Sequence, residues 1–156
     1  MTNNHFLELK IPPVAVFFFF AGLMWLVAKQ VPSAGFDLPA RTLIALIVSI
    51  PGSILAVASI ASFIRAKTTV DPREPGKAAL LVTTGVNRIS RNPMYLSLLF
   101  VLLACGISIA NVAAFFIIPF FMVYLNRFQI IPEERALASL FGSEYEAYCK
   151  RVRRWL

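Results

Sequence analysis

Between Thr42 and Ile64 the chain runs for 23 residues without a single charged side chain. An α-helix rises about 1.5 Å per residue, so about 20 apolar residues are enough to cross the hydrocarbon core of a bilayer. Lipid offers no hydrogen bonds to an exposed backbone, which leaves a helix as the form such a run can take. Pro51-Gly52 inside it predicts a kink or a close helix contact. Ile11 to Ala28 is a second uncharged run, carrying Phe17-Phe18-Phe19-Phe20. The short N-terminus with Lys10 also fits a signal peptide. The run is long for the hydrophobic region of one, however, and no small-x-small cleavage site follows, so it reads as a retained span.

Two further apolar runs, Met94 to Ile109 and Val112 to Leu125, are separated only by Ala110 and Asn111. Unbroken, they would make one stretch too long for an ordinary span. Asn111 suits the tip of a tight helical hairpin, whose second arm extends to residue 128 and bends at Pro119. Composition agrees: 58% of residues are hydrophobic and 15% charged, with a mean hydropathy of +0.73, whereas soluble domains carry about 25% charged residues. The sequence therefore predicts one all-α, polytopic membrane domain over residues 1–156. It has about four transmembrane helices, near 11–28, 42–64, 94–109 and 112–128, and short C-terminal helices.

Charge sets the expected orientation. Of the 15 Lys and Arg residues, only Lys29 and Arg41 fall on the face opposite the termini. The positive-inside rule places both termini in the cytoplasm, with the Arg65–Asn92 loop and the tail. In that loop Pro72, Pro75, Gly76 and Gly85 break regular structure. The net charge of +7 lies beside hydrophobic runs, which points to anionic lipid head groups and away from nucleic acid. No obligate protein partner is evident. In the tail, Pro132 suits a first helical turn, and Glu133 and Glu134 suit its positive end. Gly142 closes that helix, and Ser143 with Glu146 forms a capping-box pattern for another. Tyr145, Tyr148, Cys149 and Val152 share one side of the second helix, and Trp155 reads as an interfacial anchor.

Several chemistries are excluded. The lone histidine, His5, and the cysteines Cys105 and Cys149 make no triad, metal site or disulfide framework. There is no glycine-rich nucleotide loop. No charged residue lies within the four apolar runs, the last of which ends at Leu125, which argues against a pump or a charged-solute transporter. What remains is a pair of polar segments flanking the hairpin. The first is Leu81-Val82-Thr83-Thr84-Gly85-Val86-Asn87, continuing through Arg91-Asn92-Pro93-Met94-Tyr95. The second is Glu133-Glu134-Arg135-Ala136-Leu137, followed by Phe141-Gly142-Ser143-Glu144-Tyr145 and Tyr148. A hairpin returns the chain to the side it left. Asn92 and Glu133, 41 positions apart, would then meet in a polar pocket at the membrane surface. Taken singly, Gly85 reads equally as a turn, Arg91 as a snorkelling head-group contact and the two glutamates as helix-dipole partners.

Taken together, these segments resemble the isoprenylcysteine carboxyl methyltransferase and phospholipid methyltransferase superfamily of integral membrane enzymes. The family pattern is Leu-Val-Thr-x-Gly, an Arg-His/Asn-Pro-x-Tyr group, a membrane hairpin, then Glu-Glu-x-x-Leu, Phe-Gly-x-x-Tyr and a basic end. The chain matches most of it, in order, from Leu81 to Leu156. Two positions depart from it: Asn87 stands where a tyrosine is common, and Gln129 where the eukaryotic carboxyl methyltransferases carry a substrate arginine, the nearest here being Arg127.

The resemblance implies S-adenosylmethionine as methyl donor, held by a cofactor-binding half near residues 79–156. Its contacts would be Leu80, Leu81, Val82, Gly85, Asn87, Asn92, Pro93, Met94, Tyr95, Glu133 and Glu134, with no metal. Arg91, Glu133 and Arg127 are the catalytic candidates. The acceptor would be lipid-linked or a small hydrophobic molecule, reached from the bilayer, with the active site facing the cytoplasm. The expected activity is closest to protein-S-isoprenylcysteine carboxyl O-methyl transfer. A phospholipid N-methyltransferase is the alternative enzyme, and a non-enzymatic membrane scaffold the alternative of another class.

Overall fold

A computed structural model describes residues 8–66 and 80–156. His5, and Lys67, Pro72, Arg73, Pro75, Gly76 and Lys77 of the predicted loop, lie outside the described residues. The chain forms α1 (Pro13–Gln30), a 3-10 turn (Pro32–Ala34), α2 (Arg41–Arg65), a second 3-10 turn (Gly85–Arg88) and α3 (Pro93–Ile109). Then come α4 (Val112–Phe115), α5 (Ile117–Leu125), one wide π turn (Asn126–Ile130) and α6 (Ile131–Arg151). Among the described residues there is no strand, only an isolated bridge between Gly35 and Asn111.

Both α1 and α2 start and stop within about two residues of the runs that predict them. Their apolar faces divide in two. Met24, Leu102, Phe121 and Leu125 are fully buried in the bundle core, whereas Phe18, Phe19, Ile54, Val57, Phe120 and Val123 are more than half exposed. An apolar surface of that extent belongs against lipid. Three helical stretches are long and apolar enough to cross a membrane, Pro13–Gln30, Arg41–Arg65 and one beginning at Val112, and α3 adds a shorter apolar helix. The protein is an all-α integral membrane protein.

Lipid supplies little hydrophobic drive between helices, so close packing has to do that work. The buried residues of α2 are Ala45, Gly52 and Ser59, one every seven positions. This small-residue edge lies on α3. A Cβ on Gly52 would come 2.8 Å from the Phe100 Cβ and 3.0 Å from the Ser97 carbonyl, which is the close contact expected at Pro51-Gly52.

The hairpin tip is built as predicted. Ala110 turns into the left-handed region at φ 53°, and the Asn111 side chain accepts from the Ala114 amide at 3.2 Å. The second arm departs from expectation. Instead of one helix bent at Pro119, it breaks at Phe116, between α4 and α5. The physical cause is the same proline: its ring crowds the carbonyl four residues back, at Phe115, and its missing N–H leaves that carbonyl without a helical donor. A second correction concerns residue 128, where the arm was expected to end. The backbone stays helical through the π turn into α6, so Glu133 and Glu134 do not sit at a free helix terminus. The tail does bend where expected: Gly142 leaves helical geometry at φ 49°, ψ −123°, a conformation that suits glycine.

Candidate active site

The two ends of the bundle differ, and the site lies at the end where α1 and α3 begin. There the Leu9 amide donates to the Phe128 carbonyl at 3.0 Å. The Gln129 amide nitrogen donates to the Ile11 carbonyl at 2.8 Å. Glu8 sits between Arg127 and Arg135 at 3.3 and 3.4 Å. These contacts hold the start of α1 against the π turn and so fix where α6 leaves the bundle.

The loop ahead of α3 is tied to the end of the chain. The Arg91 amide donates to the Arg153 carbonyl at 3.0 Å. The Arg154 carbonyl accepts from the Ser90 hydroxyl at 3.2 Å and from the Asn92 side-chain amide at 2.9 Å. Tyr145, Tyr148 and Val152 pack on Leu81, so the aromatic side predicted for the second tail helix has the loop as its partner. The Tyr148 hydroxyl donates to the Asn87 carbonyl at 2.7 Å, and the Asn87 amide closes its own loop on the Val82 carbonyl at 2.8 Å. Trp155 packs against the bundle core.

Inside this frame lies a cavity of about 420 Å³, within the size range of small-molecule sites. Leu80, Leu81, Val82, Asn87, Arg91, Asn92, Pro93, Met94, Tyr95, Glu133 and Glu134 all line it. Asn92 and Glu133, far apart in sequence, therefore share one wall. Two candidates stand elsewhere. Gly85 has φ +62° and forms a turn close to the Ser62 hydroxyl of α2. Arg127 is engaged by Glu8 outside the cavity. Gln129, at the position of the family arginine, is fully buried and spent on Ile11.

Two glutamates adjacent in sequence meet opposite environments. Glu134 is clamped by the Arg91 guanidinium at 2.9 Å and the Arg154 guanidinium at 2.6 Å. The second arginine gains from that bond, which raises its pKa further. Glu133 has no cationic partner among the described residues; it accepts from the Tyr95 hydroxyl at 3.0 Å. Burial pushes its carboxyl up to about 7, opposed by the Tyr95 hydrogen bond and aided by the charge on Glu134. Burial likewise pushes Tyr148 up to about 12 and Tyr145 upward, so both phenols are neutral donors at physiological pH.

The part of the lining that comes from α1 and α2 was not anticipated from sequence. Pro12, Pro13 and Val14 at the start of α1, with Ala56, Ser59 and Phe63 of α2, supply a largely apolar wall. Leu137, Tyr145 and Tyr148 add to it from the tail. Leu137 and Tyr145 close the two tail motifs named in the sequence, whereas the α1 and α2 residues carried no such signal. The arginine that completes the Glu134 clamp, Arg154, was visible only as part of a basic end.

The cavity has room for a small ligand between the loop and α6, beside an apolar wall from α1 and α2. Residues 40–144, from the start of α2 into α6, match the family model for phospholipid methyltransferase. An uncharacterized protein of Haemophilus influenzae is 48% identical over 63 residues, which are 40% of this chain and the whole of that protein. No solved structure matches the chain significantly. The family match covers about two thirds of the sequence and brings with it membrane methyltransferase activity and the need for a methyl donor. The chain belongs to the phospholipid methyltransferase family.

Proposed function

We propose that the protein transfers a methyl group from S-adenosylmethionine to a lipid-borne acceptor taken from the bilayer, at a cavity on the cytoplasmic face. The observation that carries this reading is Glu133, a cavity carboxyl with a near-neutral pKa and no cationic partner among the described residues, standing beside an apolar wall made by two spans. The wall also fits a zwitterionic, cationic donor. Asn87 keeps a buried acceptor oxygen without a partner, and Arg91 a buried Nε–H without one. Those atoms complement the ammonium and carboxylate of the donor's amino-acid end, and Glu133 complements its positive charge. When bound, S-adenosylmethionine supplies a methyl carbon already activated by sulfonium.

The residues then have to align an acceptor, exclude water and move a proton. Leu80, Leu81, Val82 and Met94 exclude water, and Tyr95 orients the Glu133 carboxylate. An amine acceptor reaches the membrane surface as an ammonium. Glu133, with its pKa near 7, takes that proton so that the nitrogen lone pair forms the new N–C bond. The C–S bond breaks and its electron pair stays on sulfur. This favours a phospholipid amine such as phosphatidylethanolamine, in keeping with the family's description.

Isoprenylcysteine carboxyl methyl transfer, the activity expected from the sequence motifs, is the second reading. A carboxylate acceptor needs no base but gains from a cation, and Arg91 lines the cavity. Arg127 does not reach it, which makes Arg91 the one arginine among the described residues in the lining to serve a carboxylate. A labelled-methyl assay offering phosphatidylethanolamine and a prenylcysteine analogue side by side separates the two. Label in the phospholipid supports the amine reading, and label only in the prenylcysteine ester replaces it. No transfer to either, by protein that binds the donor, overturns the lipid acceptor.

A further inference from the structure

Four serines lie on α2, and three of them return their hydroxyls to the helix. Ser49 donates to the Leu46 carbonyl at 2.8 Å, Ser53 to the Ser49 carbonyl at 3.0 Å and Ser62 to the Ala58 carbonyl at 2.8 Å. Such back-bonding is how a serine normally satisfies itself inside a span. Ser59 does not do this. It is fully buried, its hydroxyl has no partner, and it lines the cavity between Ala56 and Phe63. A buried hydroxyl left unbonded costs about 1–3 kcal/mol. An alanine would serve the packing edge of Ala45 and Gly52 equally well, so packing alone does not account for the oxygen.

Its depth narrows what the oxygen is for. Ser59 lies six residues before Arg65, the last residue of α2, which is about 9 Å along the helix axis. The interfacial layer on each side of a bilayer is roughly 5–8 Å thick. Ser59 thus lies just below the head-group level, where the ester carbonyls of a glycerolipid are found, while Arg91 and the glutamates belong to the polar end of the same cavity. The adjoining wall is apolar, as acyl chains require.

We infer that Ser59 is a specificity-determining residue of the acceptor subsite, donating a hydrogen bond to an ester carbonyl of a glycerophospholipid whose head group extends toward Glu133. This rests on the lipid-acceptor reading above and names the acceptor's class: a diacyl glycerolipid. A diether lipid lacks the carbonyl, and a prenyl chain has no oxygen at that depth.

The test compares diacyl phosphatidylethanolamine with its dialkyl ether analogue, in detergent micelles, on wild-type protein and Ser59→Ala. Binding is read by displacement of a fluorescent phospholipid, and methyl transfer separately. Wild type should bind the diacyl lipid roughly three- to tenfold more tightly than the diether. Ser59→Ala should bind both at the weaker value, with unchanged S-adenosylmethionine affinity and thermal stability equal to or above wild type, since the unbonded hydroxyl is removed. Equal diacyl preference in the two proteins, or none in wild type, overturns the inference. A preference that Ser59→Ala abolishes, without methyl transfer to either lipid, upholds Ser59 and sinks the amine-acceptor reading instead. Should Ser59→Ala lose stability, Ala56→Leu supplies the second variant. By filling the adjoining wall it should weaken both lipids alike and keep the wild-type ratio; a changed ratio counts against Ser59 as its source.

Discussion

The two ends of the bundle solve the same problem, joining antiparallel helices, in opposite ways. At the hairpin end backbone meets backbone. The Phe36 amide donates to the Ala110 carbonyl at 3.0 Å, and the Asn111 amide donates to the Val31 carbonyl at 2.9 Å while its oxygen caps α4. Nothing ionisable takes part in those bonds. At the other end the helices are held by side chains, by the Arg91–Glu134–Arg154 clamp and by Glu8 between two arginines. The short joints carry no charge, whereas long charged side chains frame the cavity at the other end. The difference teaches that stability and chemistry are segregated along the membrane normal.

Substitutions at the two ends should therefore fail differently. Glu133→Gln should lower methyl transfer by about 100-fold or more by removing the base, with thermal stability unchanged or raised. A variant that keeps near wild-type turnover removes Glu133 from the chemistry. Glu134→Ala leaves Arg91, whose side chain is 13% exposed, without its carboxylate. A buried pair broken on one side costs about 3–5 kcal/mol. Arg154 is 37% exposed and recovers by solvation, so roughly 2 kcal/mol is expected here, with weaker donor binding. Unfolding in detergent and donor titration read the two effects.

The pH dependence sharpens the contrast. Glu133 titrates near 7 in the fold and near 4.5 when unfolded. Between those values the folded state binds more protons, so its stability should fall as pH rises from about 4.5 to about 7 and level off above. A cationic donor prefers the carboxylate, so its affinity should rise as pH passes through the folded value near 7, by roughly tenfold from pH 6 to pH 8. Both slopes should vanish in Glu133→Gln, and a slope that survives assigns the titration elsewhere. At the hairpin end, Asn111→Ala should cost about 1–2 kcal/mol through the lost cap and bridge, with turnover per folded molecule unchanged. Reduced turnover there would break the segregation. The smallest effect is expected for Glu8→Ala. Its arginine partners are well exposed, so less than about 1 kcal/mol of stability is at stake. Differential scanning should show a shift of a few degrees at most.

Much of this was legible in the chain itself. Uninterrupted apolar runs settle where helices form, because lipid forbids every other way of satisfying the backbone. Asn111 marked the hairpin tip, since its short amide caps a helix start locally, and the ordered motifs from Leu81 to Tyr148 marked the site. Other contacts were not legible there: Arg127, a catalytic candidate by resemblance, pairs with Glu8 outside the cavity lining, and the helix-dipole reading of Glu133 and Glu134 did not separate their environments.

What the sequence by itself determined is thus the set of helices, the hairpin and the family-like motifs, all properties of residues close together along the chain. Only the tertiary structure decided which glutamate is clamped by arginines and which accepts from a tyrosine. It alone turned Arg127 toward Glu8, brought Arg154 back to Glu134 and left one serine of α2 unbonded beside the cavity. Those outcomes depend on contacts between residues tens of positions apart, and on burial, which shifts a carboxyl's pKa only once its neighbours have displaced water.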